Sequence, residues 1–117
     1  MFRIDLRNES TDIIFQLKGT LCLEDTAMLR KAFWNAINQY PIKRLILDFA
    51  RVPTIDSSVI SLLVATKNLV GKNHGDLILV HLNGSHKQFL EQIHLFGYFH
   101  IQSDLETCLS QPSTKAP

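Results

Sequence analysis

The stretch that decides how this chain is read is Asp48-Phe49-Ala50-Arg51-Val52-Pro53-Thr54-Ile55-Asp56-Ser57-Ser58-Val59-Ile60-Ser61-Leu62. The apolar run Leu45-Ile46-Leu47 ends at Asp48, a Pro-bearing connection follows, and Asp56-Ser57-Ser58 opens a segment with helical apolar spacing. A strand, a loop and a helix start are therefore expected to meet here. A helix start leaves about four backbone N–H groups without intrahelical partners and carries roughly half a positive charge, so it accommodates added negative charge. From Ser58, the positions Ser61, Ala65, Asn68 and Lys72 follow at steps of three and four and form the least apolar stripe. Val59, Leu62, Leu63 and Val70, flanked by Ile60 and Val64, supply the apolar side. Ser58 is expected to face water. Ser57 lies about 100° round the helix and is expected to serve as a local cap, while Asp56 has two candidate roles, helix cap and positioner of a serine hydroxyl.

Working outward, Phe2, Ile4 and Leu6 alternate with Arg3, Asp5 and Arg7, and Asn8-Glu9-Ser10 has turn chemistry. Ile13, Phe15 and Leu17 resume the alternation, which predicts a hairpin with one wet face. Glu24-Asp25-Thr26 offers caps for a helix through Leu29, Ala32, Phe33, Ala36, Ile37 and Tyr40, which Pro41 stops. Trp34 falls off its apolar stripe. Leu45-Ile46-Leu47 is a continuous apolar strand of the kind covered on both faces, and its Asp48 is expected to end it. A helix over Ser57–Val70, a turn at 71–75 and a second apolar strand over Leu77–Leu82 follow. Ser85 to Gln88 spells a capping box for a helix from about His86 to Phe96, closed by Gly97. Tyr98-Phe99-His100-Ile101 is expected as an edge strand, and a second capping box, Ser103 to Glu106, opens a last helix ending near Ser110. A hairpin followed by strand–helix alternation predicts one layered α/β sheet in a single domain over 1–110, with a frayed tail over 111–117.

The chain has 117 residues and a formal net charge of +1. That length suits one core, and that charge creates no long-range field for nucleic acid or acidic lipid. No run of about eighteen apolar residues is present, so a soluble, cytoplasmic protein without membrane insertion is expected. Cys22 and Cys108 lack C-x-x-C spacing and are expected as free thiols. No three-ligand metal spacing, Gly-rich phosphate loop or G-x-S-x-G elbow accompanies the five histidines, so neither a cofactor nor catalysis is expected.

Leu45-Ile46-Leu47-Asp48-Phe49, Ile55-Asp56-Ser57-Ser58 and Gly75-Asp76-Leu77-Ile78-Leu79-Val80 together resemble the STAS domain family, whose stand-alone members include bacterial anti-sigma factor antagonists. Gly19-Thr20-Leu21 and Phe96-Gly97 extend the resemblance over nearly the whole chain. It implies a mixed sheet of four to five strands packed with about four helices. It also implies a regulatory binding protein that is not an enzyme, with Ser58 accepting phosphate from an anti-sigma factor that is also a serine kinase. The unphosphorylated form would sequester that partner and free a sigma factor, through a surface of Thr54, Asp56, Ser57, Ser58 and Ser61. The alternative within the same resemblance is a STAS scaffold subunit that grips the ATPase of a lipid-transport complex without phosphate. A weak homodimer stays open. Val59 stands where the family usually carries Gly, and a branched side chain there is expected to crowd a kinase.

Overall fold

The computed structural model describes residues 3–9 by backbone, and 12–39 and 42–110 with their side chains. Five strands, β1 (Arg3–Glu9), β2 (Asp12–Lys18), β3 (Arg44–Arg51), β4 (Asp76–Val80) and β5 (His100–Gln102), lie in that spatial order in one sheet. β1 and β2 pair antiparallel and the other neighbours pair parallel. Parallel neighbours need long crossovers. These are supplied by α1 (Thr26–Gln39), entered through a 3-10 turn over Leu23–Asp25, by α2 (Ser57–Lys72) and by α3 (Gly84–Gln92); α4 (Leu105–Ser110) ends the described chain.

The two faces of the sheet are covered unequally. On one, Ile13, Phe15 and Leu17 of β2, Leu45, Leu47 and Phe49 of β3, and Leu77 and Leu79 of β4 pack beneath α1, α2 and α3 in the main core. On the other, among the described residues, Ile14, Ile46, Ile78 and Val80 meet Leu105 and Cys108 of α4, with Leu109 at the rim. β2 therefore departs from the expected single wet face: Ile14 is fully buried. A buried ion pair closes this side. Arg44 donates to both carboxylate oxygens of Asp12, Nε at 2.9 Å and Nη2 at 2.6 Å, and Nη1 donates to the Cys108 carbonyl at 2.8 Å. Each member of such a pair would be costly to bury alone, so α4 and the start of β2 are locked together. Both cysteines are free thiols, and burial beneath α4 pushes the Cys108 thiol up.

Several boundaries differ from the expectation, each for a local reason. Asp48 does not end β3, which runs on to Arg51; its carboxylate accepts from the Ala50 N–H at 2.9 Å, where the pairing register slips so that Lys18 faces Arg51. Side chain and slip together make a bulge that bends the strand end. α2 continues two residues past Val70 to Lys72. Gly75 follows because a Cβ there would sit 2.9 Å from Val70 Cγ1 and 3.1 Å from the Ile42 carbonyl. β4 stops at Val80, not Leu82, since His81 turns left-handed at φ 59° and its Nε2 accepts from the Leu105 N–H at 3.2 Å.

α3 begins two residues earlier than the Ser85 capping box predicts, with Asn83 as cap, and ends at Gln92 instead of Phe96. His94, left-handed at φ 61°, takes the closing role assigned to Gly97, and the Leu95 N–H returns to the Leu90 carbonyl at 2.8 Å. At the last helix Asp104 holds the Thr107 N–H at 2.6 Å, so the cap is Asp104, not Ser103. β5 starts at His100, two residues later than expected. Asn8 and Glu9, expected in a turn, are the last residues of β1, whose pairing with β2 runs to Glu9 opposite Asp12; the rest of that turn at Ser10, the helix stop at Tyr40-Pro41 and the tail over 111–117 lie outside the described residues.

Candidate functional site

After the bulge at Asp48, the chain leaves the sheet through Val52–Ile55 and enters α2 at Asp56. The exit is pinned twice: the Gly19 N–H donates to the Arg51 carbonyl at 3.0 Å, and the Val52 N–H to the Phe49 carbonyl at 3.1 Å. Gly19 adopts φ 101°, which a side chain would resist. Asp56 is extended (φ −111°, ψ 179°) and is the helix cap: its Oδ1 accepts from the Val59 N–H at 3.1 Å. The same oxygen accepts a hydrogen bond from the Ser58 hydroxyl. Asp56 thus fills the capping role expected of it, and it holds the Ser58 hydroxyl as well. The Ser58 hydroxyl, opposed by partial desolvation and helped by the amides of Val59, Ser58 and Leu23, holds its carboxyl below the ordinary value of 3.8.

The serines fall in the reverse of the expected order. Ser57 is the exposed one and does not cap, whereas Ser58 is half-buried with its hydroxyl turned onto Asp56. Ser61 is exposed and donates to the Ser57 carbonyl at 3.2 Å. Thr54 is exposed and Ile55 half-buried, so all five residues of the expected surface gather around one helix start. Val59 points the other way. It is 1 % exposed and belongs to the main core, so its branched side chain is not presented at the surface beside Ser58.

Three residues of this neighbourhood escaped the sequence reading. The Leu23 amide, in the turn before α1, helps lower the Asp56 pKa, and the Leu23 side chain is 68 % exposed. Asn83 ties the entry loop to α3, donating from Nδ2 to the Pro53 carbonyl at 3.1 Å. His86 is 1 % exposed beneath that loop, edge-on to Phe49 at 5.8 Å; its Nδ1 accepts from the Asn83 N–H at 3.1 Å and its Nε2 has no hydrogen-bond partner. Burial pushes the imidazole pKa down, partly offset by the nearby Val52 and Pro53 carbonyls, so it is neutral. Asn83 before a helical run was readable as a cap; the buried His86 gave no signal, because histidine is at home on surfaces too.

Between this loop and α3 runs a groove of about 280 Å³, lined by Thr54, Ile55, Ser85, His86, Gln88, Phe89 and Gln92. Among the described residues no three His, Cys, Asp or Glu side chains cluster as a metal site would require, and no helix is long and apolar enough to cross a membrane.

This arrangement of one mixed sheet with four helices has a counterpart in known proteins. A model of the STAS domain matches residues 3–108. The chain belongs to the STAS domain family. An anti-sigma factor antagonist from Mycobacterium paratuberculosis superimposes with a TM-score of 0.81 at 17 % identity, covering 94 % of this chain and 92 % of that one. The anti-sigma factor antagonist SpoIIAA in its unphosphorylated form superimposes with a TM-score of 0.77 at 19 % identity, covering 91 % and 93 %. The Bacillus cell fate determinant SpoIIAA in its phosphorylated form gives 0.72 at 19 %, covering 92 % and 96 %. No curated protein matches by sequence. At such identities the likeness is one of fold, and this STAS domain's chemistry must be argued from its own residues.

Proposed function

We propose that this STAS domain is an anti-sigma factor antagonist, a regulatory binding protein switched by phosphorylation of Ser58 by a partner anti-sigma factor that is also a serine kinase. The observation that carries the reading is the Ser58 hydroxyl in the first turn of α2, held by the capping Asp56 at the mouth of an exposed loop. Unmodified, the surface of Thr54, Asp56, Ser57, Ser58 and Ser61 docks the partner. Phosphate replaces the hydroxyl proton that Asp56 now receives, adding about 1.5 to 2 negative charges beside that carboxylate. The α2 dipole offsets this by about 0.3 to 1 kcal/mol, so the domain stays folded. A desolvated charge in the contact surface costs several kcal/mol, so docking fails. The buried Val59 leaves the hydroxyl open to a kinase.

The test is incubation of the full chain with ATP and each purified serine-kinase anti-sigma factor of its own genome, followed by intact-mass measurement. One added phosphate mapping to Ser58, with loss of binding, is the expected result. Stable binding to a partner without any added mass would replace this reading with the phosphate-independent scaffold.

A further inference from the structure

Away from the helix starts, the outer edge of the sheet carries a reading of its own. β1 is the last strand on its side among the described residues, so alternate backbone N–H and C=O groups of Arg3–Glu9 face away from β2. The period of two places Arg3, Asp5, Arg7 and Glu9 on one face of that strand. Arg3 is registered opposite Lys18, and Glu9 opposite Asp12. Asp12 is already committed to Arg44. Like charges directly opposite destabilise a strand pair, so these two registered positions do not favour the β1–β2 pairing.

We propose that β1 pairs antiparallel with β1 of a second copy of this chain, in the register that places Leu6 on the two-fold axis. In that register Arg3 lies opposite Glu9 of the partner subunit and Asp5 opposite Arg7 of the partner subunit, and the two-fold repeats both pairings. The neighbouring registers are excluded by the same pattern. A slip of two residues one way sets Asp5 opposite Asp5 of the partner subunit; the other way it sets Arg7 opposite Arg7 of the partner subunit. A slip of one residue puts the charged set of one copy opposite the uncharged set of the other. A charge of one sign would guard an edge against pairing, whereas alternating signs centred on Leu6 make the edge complementary to itself.

Main-chain hydrogen bonds supply the affinity and the charges choose the register. Strand-edge pairing alone buries little surface, so the dimer is weak, concentration-dependent and disfavoured by salt. Nothing in this pairing depends on the role given to Ser58.

Sedimentation velocity of the full chain from about 10 μM to about 1 mM reads the association directly. Asp5→Arg alone and Arg7→Asp alone each set like charges opposite one another and should weaken self-association about tenfold or more. An equimolar mixture of the two variants regains complementary pairs and should associate like the parent. Hydrogen exchange on the parent should show the outward amides of β1 becoming protected as concentration rises, a readout independent of any variant's folding. A parent that stays monomeric throughout, single variants that associate like the parent, or a mixture that fails to recover would each overturn the proposal.

Discussion

Two helix starts, that of α2 and that of α3, meet the same requirement in opposite ways. Both must satisfy amide groups that have no partner within the helix. α2 does so with Asp56, a partly exposed carboxylate that also holds the Ser58 hydroxyl. α3 does so with a reciprocal box in which Asn83 takes the His86 N–H at 2.8 Å and the buried His86 takes the Asn83 N–H. The first leaves its hydrogen-bonding atoms within reach of water, where the proposed exchange of a proton for a phosphate would act on association. The second turns its ring into the core, where any change of charge acts on folding. The Pro53 carbonyl, held by Asn83, joins them: the sealed start is the strut against which the open one is positioned.

The comparison breaks most visibly at the strut. His86→Ala should cost about 2 to 4 kcal/mol, through lost packing under Phe49 and an orphaned Asn83 amide, and lower the thermal midpoint by on the order of 10 °C or more. Val59→Gly comes next, at about 2 to 3 kcal/mol, because it empties a core position and adds a glycine to the first turn. Chemical denaturation of that variant checks it, and its phosphorylation rate should not exceed the parent's. Asp56→Ala should cost about 1 kcal/mol. The folded carboxyl lies below its ordinary value, so its contribution is present above pH 3.8 and fades as pH falls through the lowered folded value; parent and variant should converge in acid.

His86 carries the same sign in a different window. Its folded pKa is below 6.5, so the unfolded chain takes up the proton first, and the parent should lose stability relative to His86→Phe as pH falls below 6.5. Thermal melts from pH 8 to pH 5 read this directly. The smallest expected shift in stability is for Ser58→Asp, a thermal midpoint within a few degrees of the parent together with weakened partner binding. Binding as tight as the parent's would move the interface elsewhere.

The order of elements was legible because hydrophobic period and turn residues change together along this chain: the unbroken run at Leu45–Leu47 announced a strand covered on both faces, and Leu45, Ile46 and Leu47 are all 0 % exposed. Helix ends were less legible. Ser85 and Ser103 carry good capping chemistry, yet Asn83 and Asp104 hold the amides, because several adjacent residues can cap and only backbone direction selects among them. The left-handed turns at His74, His81 and His94 fall on a residue type that gives little warning of them.

What the residues by themselves determined is local: strand and helix periods, an Asp-Ser-Ser helix entrance, a single core's worth of apolar positions, and the alternating charges of β1. What only the tertiary structure decided is which polar atom meets which. The wheel set Ser58 toward water, but Asp56, two residues before it, is extended and presents its carboxylate there, so the hydroxyl turns onto it and Ser57 is left outermost. Periodicity assigns a side chain to a face. Its hydrogen bond depends on backbone direction at the helix entrance and, as between Asn83 and Pro53, on segments distant in sequence that arrive only when the sheet assembles.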